Sequence, residues 1–177
     1  MRLFIAIDLP EDLKQFLEDM NSAFENFKGI KRIYKGNVHL TLLFLGDYKE
    51  PKKVADSLKK IKFQKFILKT ENFGFFPNEQ RINVAWMGIN QHEELISLQN
   101  KIAELFKNNL QYMPHVSFAR IKYFKPLEKD AFLEILKNYS SKTFEFEVDR
   151  FKLYSSELTK IGPIHRVLNT FPAIEKV

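Results

Sequence analysis

The chain has 177 residues, a length at which one compact domain, or two small lobes sharing a core, buries enough apolar surface to fold unaided. Hydrophobic residues make up 45% and the 18 Phe dominate the aromatics, so a disordered chain is excluded, and the absence of Cys excludes disulfides, thiolate catalysis and Cys-based zinc sites. A formal net charge of +6 and a pI near 9.3 favour polyanionic partners such as RNA, although a lysine-rich solvated surface would give the same figures.

The N-terminal MRLFIAIDLPEDLKQF is not a signal peptide, because Asp8 and Pro10 interrupt its short apolar run and no small-residue cleavage site follows. No stretch approaches the ~18 consecutive apolar residues of a membrane span, so the expectation is a soluble, cytoplasmic, single two-lobed domain over residues 1–177, monomeric and with no membrane partner. Leu3 to Leu9 reads as a strand, followed by Pro10 at a helix start. Leu13, Phe16, Leu17, Met20, Phe24 and Phe27 then recur at helical spacing up to Gly29, and an extended segment runs through Val38, Leu40, Leu42 and Phe44 to Gly46.

The same order returns in the second half. Ile82 to Ile89 reads as a strand containing Trp86, Asn90 is placed to cap a helix with Glu93 three residues on, and Leu95, Leu98, Ile102, Leu105 and Phe106 form its apolar face. Pro114 opens an extended run through Val116, Phe118 and Ile121. Each unit is followed by a helical stretch (Pro51 to Ile61; Leu127 to Tyr139) and a strand-like one (Phe66 to Glu71; Phe144 to Tyr154). The pattern predicts an α+β fold of two pseudo-symmetric lobes, each an antiparallel sheet with outer helices, around a central cleft. Phe73 to Arg81 and the tail after Gly162 read as the mobile stretches.

The two units carry matching tetrads, His39-Leu40-Thr41-Leu42 and His115-Val116-Ser117-Phe118. Strand alternation puts His39 with Thr41, and His115 with Ser117, on the face opposite their apolar neighbours. Two imidazoles that meet across a cleft suit phosphodiester cleavage, where one group takes a proton from the attacking oxygen and another protonates the departing one. The Thr41 and Ser117 hydroxyls would donate to the non-bridging oxygens and the Arg120 guanidinium would sit by the anion. His92 and His165 fall outside this pattern. No His-Glu-x-x-His, Asp cluster, Gly-x-Ser-x-Gly turn or phosphate-cradling glycine loop is present, so no metal or other cofactor is assigned.

These paired His-x-Thr/Ser motifs, together with RLFIAIDLP, NVHLTLLFLG, PHVSFAR and LYSSELTKIGPIHRVL in that order, resemble the 2′-5′ RNA ligase, or RNA 2′,3′-cyclic phosphodiesterase, family of the two-histidine phosphoesterases, over essentially the whole chain. The resemblance implies metal-independent hydrolysis of an RNA 2′,3′-cyclic phosphate to a 2′-phosphate end, with His39 as general acid, His115 as general base, and Thr41, Ser117 and Arg120 holding phosphate. Substrates so implied are RNA ends bearing the cyclic phosphate, tRNA halves or small cyclic nucleotides. Alternatives are 2′-5′ ligation by the same geometry and a non-catalytic RNA-binding module. The chain departs from the family pattern at Ser117 (threonine is usual), Tyr34 (often tryptophan) and His165 (often tyrosine). Phe44, Phe73, Phe75, Phe76 and Tyr154 are candidates for stacking on bases, against a core role for each.

Overall fold

The computed structural model describes residues 1–160 and 162–175. In chain order it contains β1 (Arg2–Ile7), α1 (Glu11–Ser22), β2 (Ile30–Arg32), a 3-10 turn (Lys35–Asn37), β3 (Leu40–Asp47), α2 (Pro51–Leu58) and β4 (Phe66–Pro77). There follow β5 (Ile82–Ile89), α3 (Glu93–Leu105), β6 (His115–Ile121), α4 (Glu128–Tyr139), β7 (Glu145–Val148), β8 (Arg150–Thr159) and β9 (Gly162–Pro172). The strands make two antiparallel sheets, ordered β3-β1-β8-β9 and β2-β6-β5-β4-β7, which gives the expected α+β architecture.

The duplication is real and interlocked. β1-α1-β3-α2 is followed by β4, which leaves the first sheet and pairs with β5; β5-α3-β6-α4 is followed, after the short β7, by β8, which leaves the second sheet and pairs with β1. One face of each sheet packs against helices in a single core. Leu3, Ile5 and Ile7 of β1 meet Leu13, Leu17 and Met20 of α1 there, and Ala85, Met87 and Ile89 of β5 meet Leu95, Leu98 and Ile102 of α3. Burying each large side chain contributes roughly 1.5–3 kcal/mol. Glu11 and Asp12 in the first turn of α1 complement its dipole, and Pro51 starts α2 where its missing N–H costs nothing.

Several expectations are corrected. The first helix ends at Ser22, and Phe24 and Phe27 follow in turns whose N–H groups bond three residues back. The second helical stretch ends at Leu58 rather than Ile61. Asn90 does not cap α3; His92 occupies that place, and Asn90 Oδ1 instead accepts the Lys69 N–H at 2.8 Å, tying β4 to the end of β5. Of the two stretches read as mobile, Phe73–Pro77 is the second half of β4, paired with β5, and the segment after Gly162 is β9, paired along β8; residues 161, 176 and 177 lie outside the described residues.

Gly29 does not stop the helix but allows a close approach. A Cβ there would lie 1.9 Å from the Tyr123 carbonyl oxygen, while the Lys122 N–H donates to the Gly29 carbonyl at 2.8 Å, and this contact starts the pairing of β2 with β6. Gly29→Ala is predicted to destabilise the fold by about 1–3 kcal/mol, because backbone rather than a flexible side chain must move. An unchanged urea midpoint and slope would contradict this.

Candidate active site

The tetrads sit where two strands bulge. Thr41 pairs with Ala6 and Leu43 with Ile5, so Leu42 is an extra residue; Ser117 pairs with Trp86 and Ala119 with Ala85, so Phe118 is an extra residue. A bulge resets alternation. Arg120, an odd number of residues from Ser117, therefore faces the same way as Ser117, since their β5 partners Val84 and Trp86 lie two apart. In the other half the equivalent place, three residues after the hydroxyl, is taken by Phe44, whose ring is 69% exposed and 6.0 Å from Phe4.

Both bulges are braced by the other half of the molecule. The buried Asn21 of α1 donates from Nδ2 to the Phe118 carbonyl at 3.1 Å, and the buried Gln99 of α3 donates from Nε2 to the Leu42 carbonyl at 3.4 Å. A third link joins the two tetrads: the Tyr112 hydroxyl, three residues before His115, donates to the Thr41 carbonyl at 3.1 Å.

The histidines are held alike. His39 Nδ1 lies 2.7 Å from the Asn37 carbonyl, and His115 Nδ1 lies 2.7 Å from the Met113 carbonyl. A carbonyl only accepts, so each Nδ1 carries the proton and the neutral ring presents its lone pair at Nε2. The turn bearing His39 is itself fixed, with Asn37 Nδ2 donating to the Pro163 carbonyl of β9 at 2.8 Å and Lys35 Nζ to Gln15 Oε1 of α1 at 2.7 Å.

Their surroundings differ. The His39 ring stacks on Phe4 at 4.7 Å, and Phe4 stacks on Tyr154 at 5.0 Å; the Tyr154 hydroxyl donates to Asp8 Oδ1 at 2.5 Å and Lys152 pairs with Asp8 Oδ2. Burial by itself would raise the Asp8 carboxyl, but these two donors outweigh it and hold the group below the usual carboxylate range. His115 is instead flanked by Phe76, whose ring is nearly perpendicular to it at 5.0 Å, and by the tilted ring of Trp86 at 5.8 Å. Trp86 lies so close over Gly74 that a Cβ there would be 2.2 Å from the indole. Phe73 and Phe75 point to the opposite, core face, against Phe118 and Phe132, so of the five stacking candidates Phe44, Phe76 and Tyr154 are the ones on the side of the histidine rings.

His165, set aside in the sequence, belongs to this constellation. It stands on β9 opposite Ser156, and its ring lies 5.4 Å from His39 and 4.8 Å from Phe4. Only the β8–β9 register reveals it. His92 stays apart, stacked on Phe66 beside Glu94. Two shallow depressions along α3, lined by residues such as Asn100, Lys101 and Glu104, contain none of these groups.

Residues 9–160 match the model of the 2′-5′ RNA ligase superfamily, and the chain belongs to that family. Proteins named RNA 2′,3′-cyclic phosphodiesterase from Methanocaldococcus jannaschii and Archaeoglobus fulgidus are 35% and 33% identical to it, covering 95% and 97% of this chain and 98% and 99% of their own lengths. Among solved structures, the TT0787 protein of Thermus thermophilus superposes with a TM-score of 0.78 at 26% identity over 97% of both chains. Escherichia coli LigT shares the fold, with a TM-score of 0.76 over 98% of both chains at 22% identity.

Burial, with the charge of His165 as the next cause, pushes His39 down to about 4, and the Asn37 carbonyl and Asp8 only partly oppose this. Histidine has four copies in this chain, so its ring signals are resolvable by NMR. The His39 signal is predicted to titrate near pH 4, and in His165→Gln to titrate at higher pH, because a like-charged neighbour is removed. An identical midpoint in both proteins would show the two rings to be uncoupled.

Proposed function

We propose that the protein is a metal-independent RNA 2′,3′-cyclic phosphodiesterase that opens the cyclic phosphate to a 2′-phosphate end. The observation that carries this reading is the pair of histidines at the starts of equivalent strands, each with Nδ1 committed to a backbone carbonyl and Nε2 without a partner among the described residues. The naming of the full-length relatives supports it.

His115 Nε2 removes a proton from water as the water oxygen bonds to phosphorus. The bond from phosphorus to the 3′-oxygen breaks in line, and His39 Nε2–H delivers its proton to that oxygen, leaving a 3′-hydroxyl and a 2′-phosphate. Thr41, Ser117 and Arg120 donate to the non-bridging oxygens as negative charge grows on them. His39, neutral in the empty site at neutral pH, acquires its proton when the anionic substrate arrives, since an opposite charge within ~4–6 Å raises such a group by about one to three pH units. The family model also covers 2′-5′ ligation, in which a terminal 5′-hydroxyl takes the place of water and a 2′-5′ phosphodiester forms in place of the 2′-phosphate. Water at ~55 M outcompetes that hydroxyl unless both RNA ends are oriented, so hydrolysis is the main reaction.

His39→Ala and His115→Ala are each predicted to lower kcat/KM on a cyclic-phosphate RNA by about 10²–10⁴ with the fold retained by circular dichroism. The wild-type pH–rate profile should be bell-shaped, since one ring must be charged and the other neutral. Wild-type turnover by either variant, or a flat profile between about pH 5 and 9, would remove the acid–base assignment.

A further inference from the structure

We propose that Lys31, beside an Arg120 whose five N–H donors reach both this phosphate and the reacting one, forms a second phosphate subsite, which takes the phosphodiester one nucleotide back from the cyclic end. The subsite makes an oligonucleotide a better substrate than a lone nucleoside 2′,3′-cyclic phosphate. It rests on the reading of the tetrads as the reacting site and adds to it a binding group, Lys31, that the tetrads do not contain.

Lys31 of β2 is directly opposite Arg120 of β6, so the two cations share one face with side chains about 4.5–5.5 Å apart at Cβ. Like charges placed so are destabilising. Elsewhere in the same sheet a cross-strand lysine meets an acid: Lys69 is opposite Glu145, with an ion pair at 3.5 Å, and Lys65 reaches Glu147 at 3.3 Å. Among the described residues neither Lys31 nor Arg120 makes an ion pair, and both are exposed. The next cation, Arg32, is opposite the buried Ala119 and turns to the other face, where it approaches the Asn21 carbonyl at the end of α1 at 3.5 Å. Arg32 therefore serves the fold, and Lys31 is left facing the tetrad side.

The bulge at Phe118 makes that side the right one. Measured along β5, Arg120 lies two residues from Ser117, roughly 6.6–6.8 Å at strand rise, with Lys31 beside it at the sheet border. That displacement is about one nucleotide of extended strand from a phosphate held by Ser117. A guanidinium offers paired donors and an ammonium a point charge, and an anion between them removes the repulsion that the empty pair carries. A lysine that merely protects the edge strand from mispairing would have no reason to favour one substrate over another.

The test compares a nucleoside 2′,3′-cyclic phosphate with a dinucleotide ending in the same cyclic phosphate, which adds only the one phosphodiester and its nucleoside. Wild type should prefer the dinucleotide in kcat/KM by about tenfold or more, and Lys31→Gln should collapse this to about twofold, with Lys31→Arg restoring it. The slope of log kcat/KM against log salt on the dinucleotide should fall by about 0.7 in Lys31→Gln, the change expected when the protein neutralises one phosphate fewer. An unchanged preference ratio and salt slope in Lys31→Gln would overturn the subsite. Should wild type turn over neither compound, the reading of the tetrads fails, and the subsite is then decided by the dissociation constants of the corresponding nucleoside and dinucleotide 2′-phosphates. A weakening in Lys31→Gln confined to the dinucleotide supports it, and equal constants overturn it.

Discussion

Everything at the tetrads depends on how the two halves are bound across one another. Each half hands its last strand to the other's sheet, and each sends a helix whose buried amide, Asn21 or Gln99, donates to the carbonyl of a bulged residue, Phe118 or Leu42, in the opposite tetrad. At Phe118 the amide is a second donor, since the same carbonyl also accepts the Ile33 N–H at 2.8 Å. A donor from the other half at each bulge fixes it and couples the two lobes in the same contact. The pairing of Tyr112 with the Thr41 carbonyl adds a third tie at the same place. A displacement of one lobe would therefore break hydrogen bonds inside the tetrads themselves, so the two tetrads are rigidly related.

Within that symmetric frame the two histidines are not equivalent. His39 lies among Phe4, Tyr154 and His165 and is clasped from behind by Asn37, whose side chain is tied to β9. His115 starts its strand beside Phe76 and Trp86, and is held by the Met113 carbonyl alone where the Asn37 carbonyl that holds His39 is backed by a side-chain tie to β9. Burial and the charge of His165 hold the half-buried His39 ring neutral in the empty site, which suits the proposed role of an acid protonated by an arriving anion, with His115 left to the proposed role of base. The same inequality appears three residues after the hydroxyls of Thr41 and Ser117, where one half supplies the Arg120 cation and the other the Phe44 ring.

Much of this was legible in the sequence because it rests on period. The alternation around His39 and His115, the helical spacing of Leu13, Leu17 and Met20, and the repeated order of elements are local patterns, and the strand Ile82–Ile89 has the bounds expected of it. What was not legible depends on register. A one-residue bulge leaves no mark in the residue string, so the sequence placed Arg120 by the anion only from its nearness to His115, and the reason it faces the same way as Ser117 appears only in the register. Nor could His165 be found before β9 was paired with β8, since it lies 126 residues along the chain from His39. Phe24 and Phe27 kept helical spacing without a helix because turns that bond three residues back also bring such residues onto the core. Asn90 offered a cap by composition, yet the Lys69 amide claimed its oxygen first.

The most direct measurement is the regiochemistry of the product formed from a short RNA ending in a 2′,3′-cyclic phosphate, in the presence of EDTA. Two histidines acting without metal, with the acid at the 3′-oxygen, should yield a 2′-phosphate and a free 3′-hydroxyl. A 3′-phosphate product, or turnover that stops when metal is chelated, would contradict the roles given to His39 and His115.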